Sequence, residues 1–387
     1  MMDAPVVAAC GVGALVDVVP SLLSSLGVAG FADQLRLSPV RAVCLLLVDG
    51  LGWQALRAHP EDAPFLTSLT GDSEPITVGF PATTATSVAT LGTGLPAGQH
   101  GIVGFSFATP DGSLINALSW RTYGERPGVD LRDRFVPEDI QPVPTTLERA
   151  AAAGVRVTLA VPHLHQGTGL TRAVLRGGDF RGVHALGDLA GAALAALAGS
   201  ERAFCYAYHG DLDLLGHVYG VGSLPWRLQL NHIDRLAATI AERLPPDGRL
   251  VVTADHGMVT VPEFRRFDFD TEPALQAGVR LLGGEPRARY LYTEPGATDD
   301  VLAAWRSTIG DRAWMVTRDE AIAQGWFGPV VEDRVRARIG DIVVAARTDF
   351  AVVRSIVRSR LAPLIGHHGS LTAAEQLVPL LVFISDS

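Results

Sequence analysis

The chain has 387 residues, 48% of them hydrophobic and 19% charged, a balance that excludes intrinsic disorder and allows one large domain or two. Its net charge of −9 offers no field that would draw in a phosphate backbone, which disfavours nucleic-acid binding through a basic surface and leaves room only for local basic pockets. All 32 basic residues are arginine, which removes a lysine Schiff base or a P-loop lysine from the available chemistry. Cys10, Cys44 and Cys205 have no metal-like spacing, and Cys44 and Cys205 lie in apolar runs that suit buried, reduced thiols. The apolar stretch from Pro5 to Gly30 lacks a basic start, carries Asp17 and is broken by Pro20. It does not read as a signal peptide, and no later run is long enough to span a membrane, so a cytoplasmic protein is expected.

In chain order, Ala42–Val48 reads as a buried strand with Asp49 at its tip, followed by a helix over Asp62–Leu69. Phe80 and Pro81 end an extended stretch, and the small residues after Thr83 predict a tightly packed helix with Thr84 at its mouth. A helix over Thr145–Ala153 leads into a strand at Val155–Val161. The pattern repeats with a helix at Leu186–Leu197 and a strand at Ala203–Tyr208. A loop carrying Asp213 and His217, a helix at Leu228–Arg243 and a strand at Leu250–Thr253 complete it. Strands alternating with helices predict an α/β fold, a three-layer α/β/α sandwich around a largely parallel sheet. Such sheets bind ligands beyond the carboxyl ends of their strands, where Asp49, Asp213 and the Asp255-His256 pair all fall.

From about Val261 to Arg360 the texture changes. Strand-like Ala288–Tyr292 and Ile339–Ala345 flank helices near Asp299–Ile309 and Asp319–Gln324, predicting a smaller α/β insertion over 261–360. The chain then returns to the core, 1–260 and 361–387, through GHHG at 366–369 and a last strand at Leu377–Ile384.

Each polar cluster has an ordinary reading when taken alone. Asp49 in LLLVDGLGW suits a turn or a helix N-cap. In GDLDLLGHVYG, Asp213 stands four residues before His217, and Gly216 permits a bend that closes one loop on one ion; Asp211 competes as the carboxylate. Asp255 and His256 in TADHGM point opposite ways in extended backbone, so they share an ion if the chain turns at Gly257 and otherwise reach two. His368 in GHHG has His367 as its neighbour and rival. Thr83, Thr84 and Thr86 could be caps, but a hydroxyl at a helix N-terminus also faces unpaired N–H groups that favour a phosphate. Together the clusters supply ligands for two divalent metal ions, which would make the Thr84 alkoxide accessible as a nucleophile for phosphoryl transfer.

VDGLGW, FPATTAT…TGLPAGQHGIVG, DLLGHVYG, ADHGM and GHHG, in this order, resemble the alkaline phosphatase superfamily, nearest its type I phosphodiesterase/nucleotide pyrophosphatase branch. The resemblance spans roughly residues 40–260 and 361–387 and is poor over the insertion. It implies one zinc held by Asp213, His217 and His368, and a second held by Asp49, Asp255, His256 and the Thr84 hydroxyl. It favours Asp213 over Asp211 and His368 over His367. It also implies double displacement through a phosphothreonine, with no separate general base. Two positions depart from that branch: Ala85 replaces a base-clamping phenylalanine and Phe105 a phosphoryl-binding asparagine, while Tyr208 matches the other aromatic. The expected substrate is a small phosphodiester, pyrophosphate or phosphate ester, with Tyr208, Phe105, His163 and His165 lining its pocket. A phosphomonoesterase or a phosphonate hydrolase is the alternative, and a non-catalytic metal-binding scaffold the remote one.

Overall fold

The computed structural model describes residues 4–71, 73–124, 128–199, 201–356 and 364–385. Ten strands carry the architecture. The first five are β1 (Ala42–Val48), β2 (Arg156–Pro162), β3 (Asp179–Val183), β4 (Ala203–His209) and β5 (Gly248–Thr253). The rest are β6 (Val279–Glu285), β7 (Ala288–Thr293), β8 (Ala313–Thr317), β9 (Ile342–Ala346) and β10 (Leu380–Ile384). The large sheet runs β10-β5-β1-β4-β2-β3, parallel throughout except for β10, which lies antiparallel on β5. β1 is buried along its whole length, the reason it reads as an unbroken apolar run and not an alternation. Val48 pairs with His209 and Leu47 with Thr253, so β1, β4 and β5 end level with one another. That register brings their following residues to one edge of the sheet.

The helices that matter for the site are α1 (Thr84–Thr93), α2 (Gly169–Val174), α3 (Leu186–Leu197), α4 (Asp211–Tyr219) and α5 (Leu224–Ala241). α5 starts four residues earlier than the apolar pattern predicts, because Pro225 is preset for the first turn; Ser223 holds the N-cap position without a side-chain hydrogen bond. The segment predicted as a loop around Asp213 is the helix α4, and Gly216 serves packing instead of a bend: a Cβ there would sit 2.6 Å from Met258 Sδ. β3 has no apolar run to announce it, being an edge strand with only Val183 buried. The last predicted strand breaks at Pro379; Leu377–Val378 pairs with Ile76–Thr77, and only β10 joins the large sheet.

A second, antiparallel sheet runs β6-β7-β9-β8. The β6–β7 hairpin reaches back to the large sheet's loops: Ser106 Oγ donates to Gly284 O at 2.8 Å, and Arg287 pairs with Glu375 at 2.8 Å with both side chains fully buried. The 360/361 boundary drawn from the sequence lies outside the described residues. Among the described residues no helix is long and apolar enough to cross a membrane.

Candidate active site

Asp49 leaves β1 at its carboxyl end, and the chain turns at Gly50, whose φ of +76° places its Hα side 3.0 Å, measured from an added Cβ, from Asp213 Cα. Only glycine accommodates both the left-handed backbone and that approach, so the Asp49 turn lies directly on α4. Asp213 and His217 sit one turn apart on α4 and face the same way, with Asp213 Oδ2 3.3 Å from His217 Nε2. Asp211, at the start of the same helix, is 3.9 Å from His209 instead. His368 closes this group, its Nε2 3.9 Å from Asp213 Oδ1.

The second group gathers on Asp49. His256 Nε2 lies 3.3 Å from Asp49 Oδ1 and 3.7 Å from Asp255 Oδ2, so Asp255 and His256 converge on one place and do not diverge. The chain turns at Gly257, where a Cβ would meet Ala374 O at 2.0 Å. Asp255 Oδ1 accepts from the N–H groups of Gly50 and His256, which leaves Oδ2 free. Thr84 begins α1 and its Oγ1 stands 3.4 Å from Asp49 Oδ2 and 3.3 Å from His256 Nε2. Ser87, one turn on, ties α1 to the Asp255 carbonyl at 2.6 Å. Asp213 is close enough to contribute to either group.

The electrostatics of this arrangement are unfavourable without a cation. Burial, then repulsion from Asp255 and Asp213, pushes the Asp49 carboxyl well above its usual range. Burial, then the nearby His256 and His217 rings, holds His368 well below the usual imidazole value. Asp49 Oδ1, Asp213 Oδ1 and Asp255 Oδ2 are buried with no hydrogen-bond partner. The histidines are turned alike: Nδ1 of His217, His256 and His368 faces a backbone carbonyl, of Gly366, Gly257 and Ala82, at 2.7, 3.1 and 2.9 Å. A ring that donates from Nδ1 presents the Nε2 lone pair inward, the arrangement that metal-binding imidazoles adopt. His367 does the reverse, with Nε2 on Leu364 O at 3.0 Å, so it faces away from the cluster. Inward lone pairs and orphaned carboxylate oxygens fit divalent cations and fit little else.

Beside Thr84 opens a cavity of about 240 Å³. Tyr208 and His165 line it, with their rings 5.5 Å apart. The Tyr208 hydroxyl donates to Asp49 Oδ2, and burial followed by the charge of Asp49 keeps it protonated. Phe105 and His163, also expected to line the pocket, are not among its walls. Phe105 packs edge-on against Tyr123 at 5.7 Å, and His163 stacks near His184 at 4.2 Å. Ala85, the second residue of α1, is fully buried and does not line the cavity either.

Four residues of the site went unread in the sequence. Tyr206 lines the cavity, and a period-two reading of β4 from Tyr208 would have found it. Thr168 caps the short α2 and Thr171 lies in its first turn, and no motif marks that helix. Glu285 stands at the end of β6, its Oε2 3.5 Å from His368 Nδ1, and burial raises its carboxyl well above the usual range.

Comparison with known proteins agrees with the fold. Human ectonucleotide pyrophosphatase/phosphodiesterase 5 superposes with a TM-score of 0.65 at 18% identity, covering 88% of this chain and 87% of that one. Phosphonoacetate hydrolase from Sinorhizobium meliloti 1021 gives 0.65 at 20% identity, covering 89% and 90%. A phosphopentomutase of Anaeromyxobacter dehalogenans is 28% identical over 185 residues, 47% of this chain, and the chain spans only 44% of that relative's length. Residues 43–371 match the model of the type I phosphodiesterase/nucleotide pyrophosphatase family, and the chain belongs to that family.

Proposed function

We propose that the protein is a divalent-metal-dependent phosphodiesterase that works through a phosphothreonine on Thr84, with zinc as the metal. The observation that carries this reading is the set of three imidazoles with inward Nε2 lone pairs facing three buried, unpartnered carboxylate oxygens around one hydroxyl. Asp213, His217 and His368 would hold one ion; Asp49, Asp255 and His256 would hold the other, with the Thr84 hydroxyl turned toward it. Bound there, the ions would neutralise developing charge and favour the threonine alkoxide. A mixed His/Asp set suits zinc.

The chain's own residues supply the rest. Thr84 is presented at the first turn of α1, whose unpaired N–H groups face the phosphoryl oxygens. Its oxygen attacks phosphorus and an alcohol leaves; water then releases the phosphate monoester from Thr84. Tyr208, by donating to Asp49, holds that carboxylate in place. Residues 1–260 and 361–387 form the catalytic core on this reading, and 261–360 an insertion, supported by the separate β6-β7-β9-β8 sheet. The murine relative of the human enzyme above forms a complex with AMP, and the Sinorhizobium protein one with phosphonoacetate. A small phosphate diester is the substrate class proposed here.

Zinc-loaded protein is expected to hydrolyse bis-p-nitrophenyl phosphate in preference to p-nitrophenyl phosphate, and chelator-treated protein neither. Thr84→Ala should lower turnover by about three orders of magnitude or more while keeping its zinc content near wild type. Full activity in that variant, or a preference for the monoester, would sink the proposal.

A further inference from the structure

The inner wall of the cavity carries a hydroxyl that no part of the fold uses. Tyr206 lies two residues before Tyr208 on β4, so both rings point to the same face, with Tyr206 deeper below the strand's end. Tyr208 spends its hydroxyl on Asp49; Tyr206 Oη is buried and has no hydrogen-bond partner. An orphaned buried hydroxyl weakens a fold, and phenylalanine would fill the same space without it. Stability therefore does not explain a tyrosine at this position, and a ligand does.

The other walls define what that ligand looks like. Val88, Val161, Leu170 and Leu175 are aliphatic. No arginine is among the described residues that line the cavity. A carboxylate held against the aliphatic side, away from Asp49 and Asp213, would have no guanidinium beside it. Ala85 does not face the cavity, and the ring nearest Tyr208 on its walls, His165, lies 5.5 Å away and tilted by 55°, so the two do not stack in parallel on a planar base.

Given phosphodiester cleavage at Thr84, we infer that Tyr206 is a specificity-determining donor for an uncharged, oxygen-bearing aliphatic substituent of the substrate. The substituent packs on the valines and leucines, and the Tyr206 phenol donates to its ether, hydroxyl or carbonyl oxygen. Thr168 and Thr171, at the rim, are hydrogen-bonded to each other at 3.0 Å and offer a second polar contact to the same group.

Symmetric dialkyl phosphates test this directly, because either substituent that enters the cavity is the same. Bis(2-methoxyethyl) phosphate and dibutyl phosphate differ only in an oxygen for a methylene at matching positions. Hydrolysis by zinc-loaded wild type and Tyr206→Phe is followed by phosphorus NMR, with bis-p-nitrophenyl phosphate as reference and bis(2-carboxyethyl) phosphate as the charged arm. The wild type should favour the methoxyethyl diester by about tenfold in kcat/KM, chiefly through KM. Tyr206→Phe should bring that ratio to near one, with a thermal midpoint no lower than wild type. The carboxyethyl diester should be the poorest of the three. An equal ratio in both proteins, a ratio near one in the wild type, or a destabilised Tyr206→Phe overturns the assignment. So does failure on both alkyl diesters while the nitrophenyl reference turns over. A carboxyethyl diester that is the best substrate overturns the uncharged cavity. Failure on the nitrophenyl reference as well overturns the phosphodiester reading beneath it.

Discussion

A histidine in this fold is a candidate ligand or not according to which ring nitrogen the backbone occupies. In GHHG two adjacent histidines are chemically equivalent as sequence, yet Ala82 O takes Nδ1 of His368 while Leu364 O takes Nε2 of His367. The choice is made partly by a carbonyl 286 positions away, so the residues of GHHG by themselves leave it open and only the resemblance favours His368. His100 is a different case. It is fully buried, accepts from the Ile102 N–H on Nδ1 at 3.0 Å and meets Thr90 Oγ1 with Nε2 at 3.2 Å. Burial, with Arg334 and Arg338 adding to it, lowers its pKa to about 3. The unfolded ring takes a proton below about pH 6.5 and the folded one does not, so this group's contribution is intact above that pH and is lost as pH falls toward 3. The limiting slope is about 1.4 kcal/mol per pH unit. His100→Gln, which keeps polar atoms for Ile102 and Thr90, should flatten the acid limb of stability between those values. Urea melts at pH 7, 5.5 and 4.5 would decide it; an unchanged slope would mean that other groups carry acid unfolding.

At the scale of elements, what the sequence made legible was what burial makes regular. β1 and α3 fall on the predicted residues, because a strand buried on both faces and a helix of alanine and leucine leave uninterrupted signatures. The carboxylates and imidazoles of the candidate metal site were legible for a related reason: three of their four groups follow strands whose ends the parallel register levels. The cavity was not. Part of its wall comes from α2 and from the flap around Leu118, neither of which has a periodicity long enough to read. The two are joined by Trp120, whose ring lies so close to the Gly169 backbone that an added Cβ would be 2.2 Å from it, and whose Nε1 donates to Phe135 O at 2.8 Å. Gly169 is thus required for close approach, and the flap's position over Thr84 depends on it. Gly169→Ala should destabilise by about 1–3 kcal/mol through overpacking. It should also raise KM for diesters more than it lowers kcat, since α2 meets Gly92 of α1 through Val174, at the end opposite Gly169. A fall in kcat alone would mean that the flap governs the chemistry instead of the pocket.

Over the whole molecule, the site depends on chain segments that meet only in the folded state. The loop carrying His368 is pinned from two sides. Glu375 accepts from the Ser370 N–H at 2.9 Å, and its carboxylate receives two bonds of 2.8 Å from Arg287 on the β6–β7 turn. Arg287 also donates to Phe350 O at 2.7 Å, which ties the same turn to the end of the second sheet. With both partners fully buried, the pair cannot be credited with large net stabilisation, because desolvating two charges offsets most of their attraction. Removing one partner is another matter, since it strands the other charge away from water. Arg287→Met should therefore cost about 3–5 kcal/mol, and Arg287→Met with Glu375→Gln clearly less, because no bare charge is left. If the pair also holds the His368 loop in register, Arg287→Met should bind one zinc more weakly than wild type, while a protein destabilised elsewhere should not. Chemical denaturation of the two variants, with zinc titration below the transition, separates these effects. A single variant within about 1 kcal/mol of wild type would show that this pair does little to hold the second sheet to the first, and that the remaining contacts, including the Ser106–Gly284 hydrogen bond, suffice.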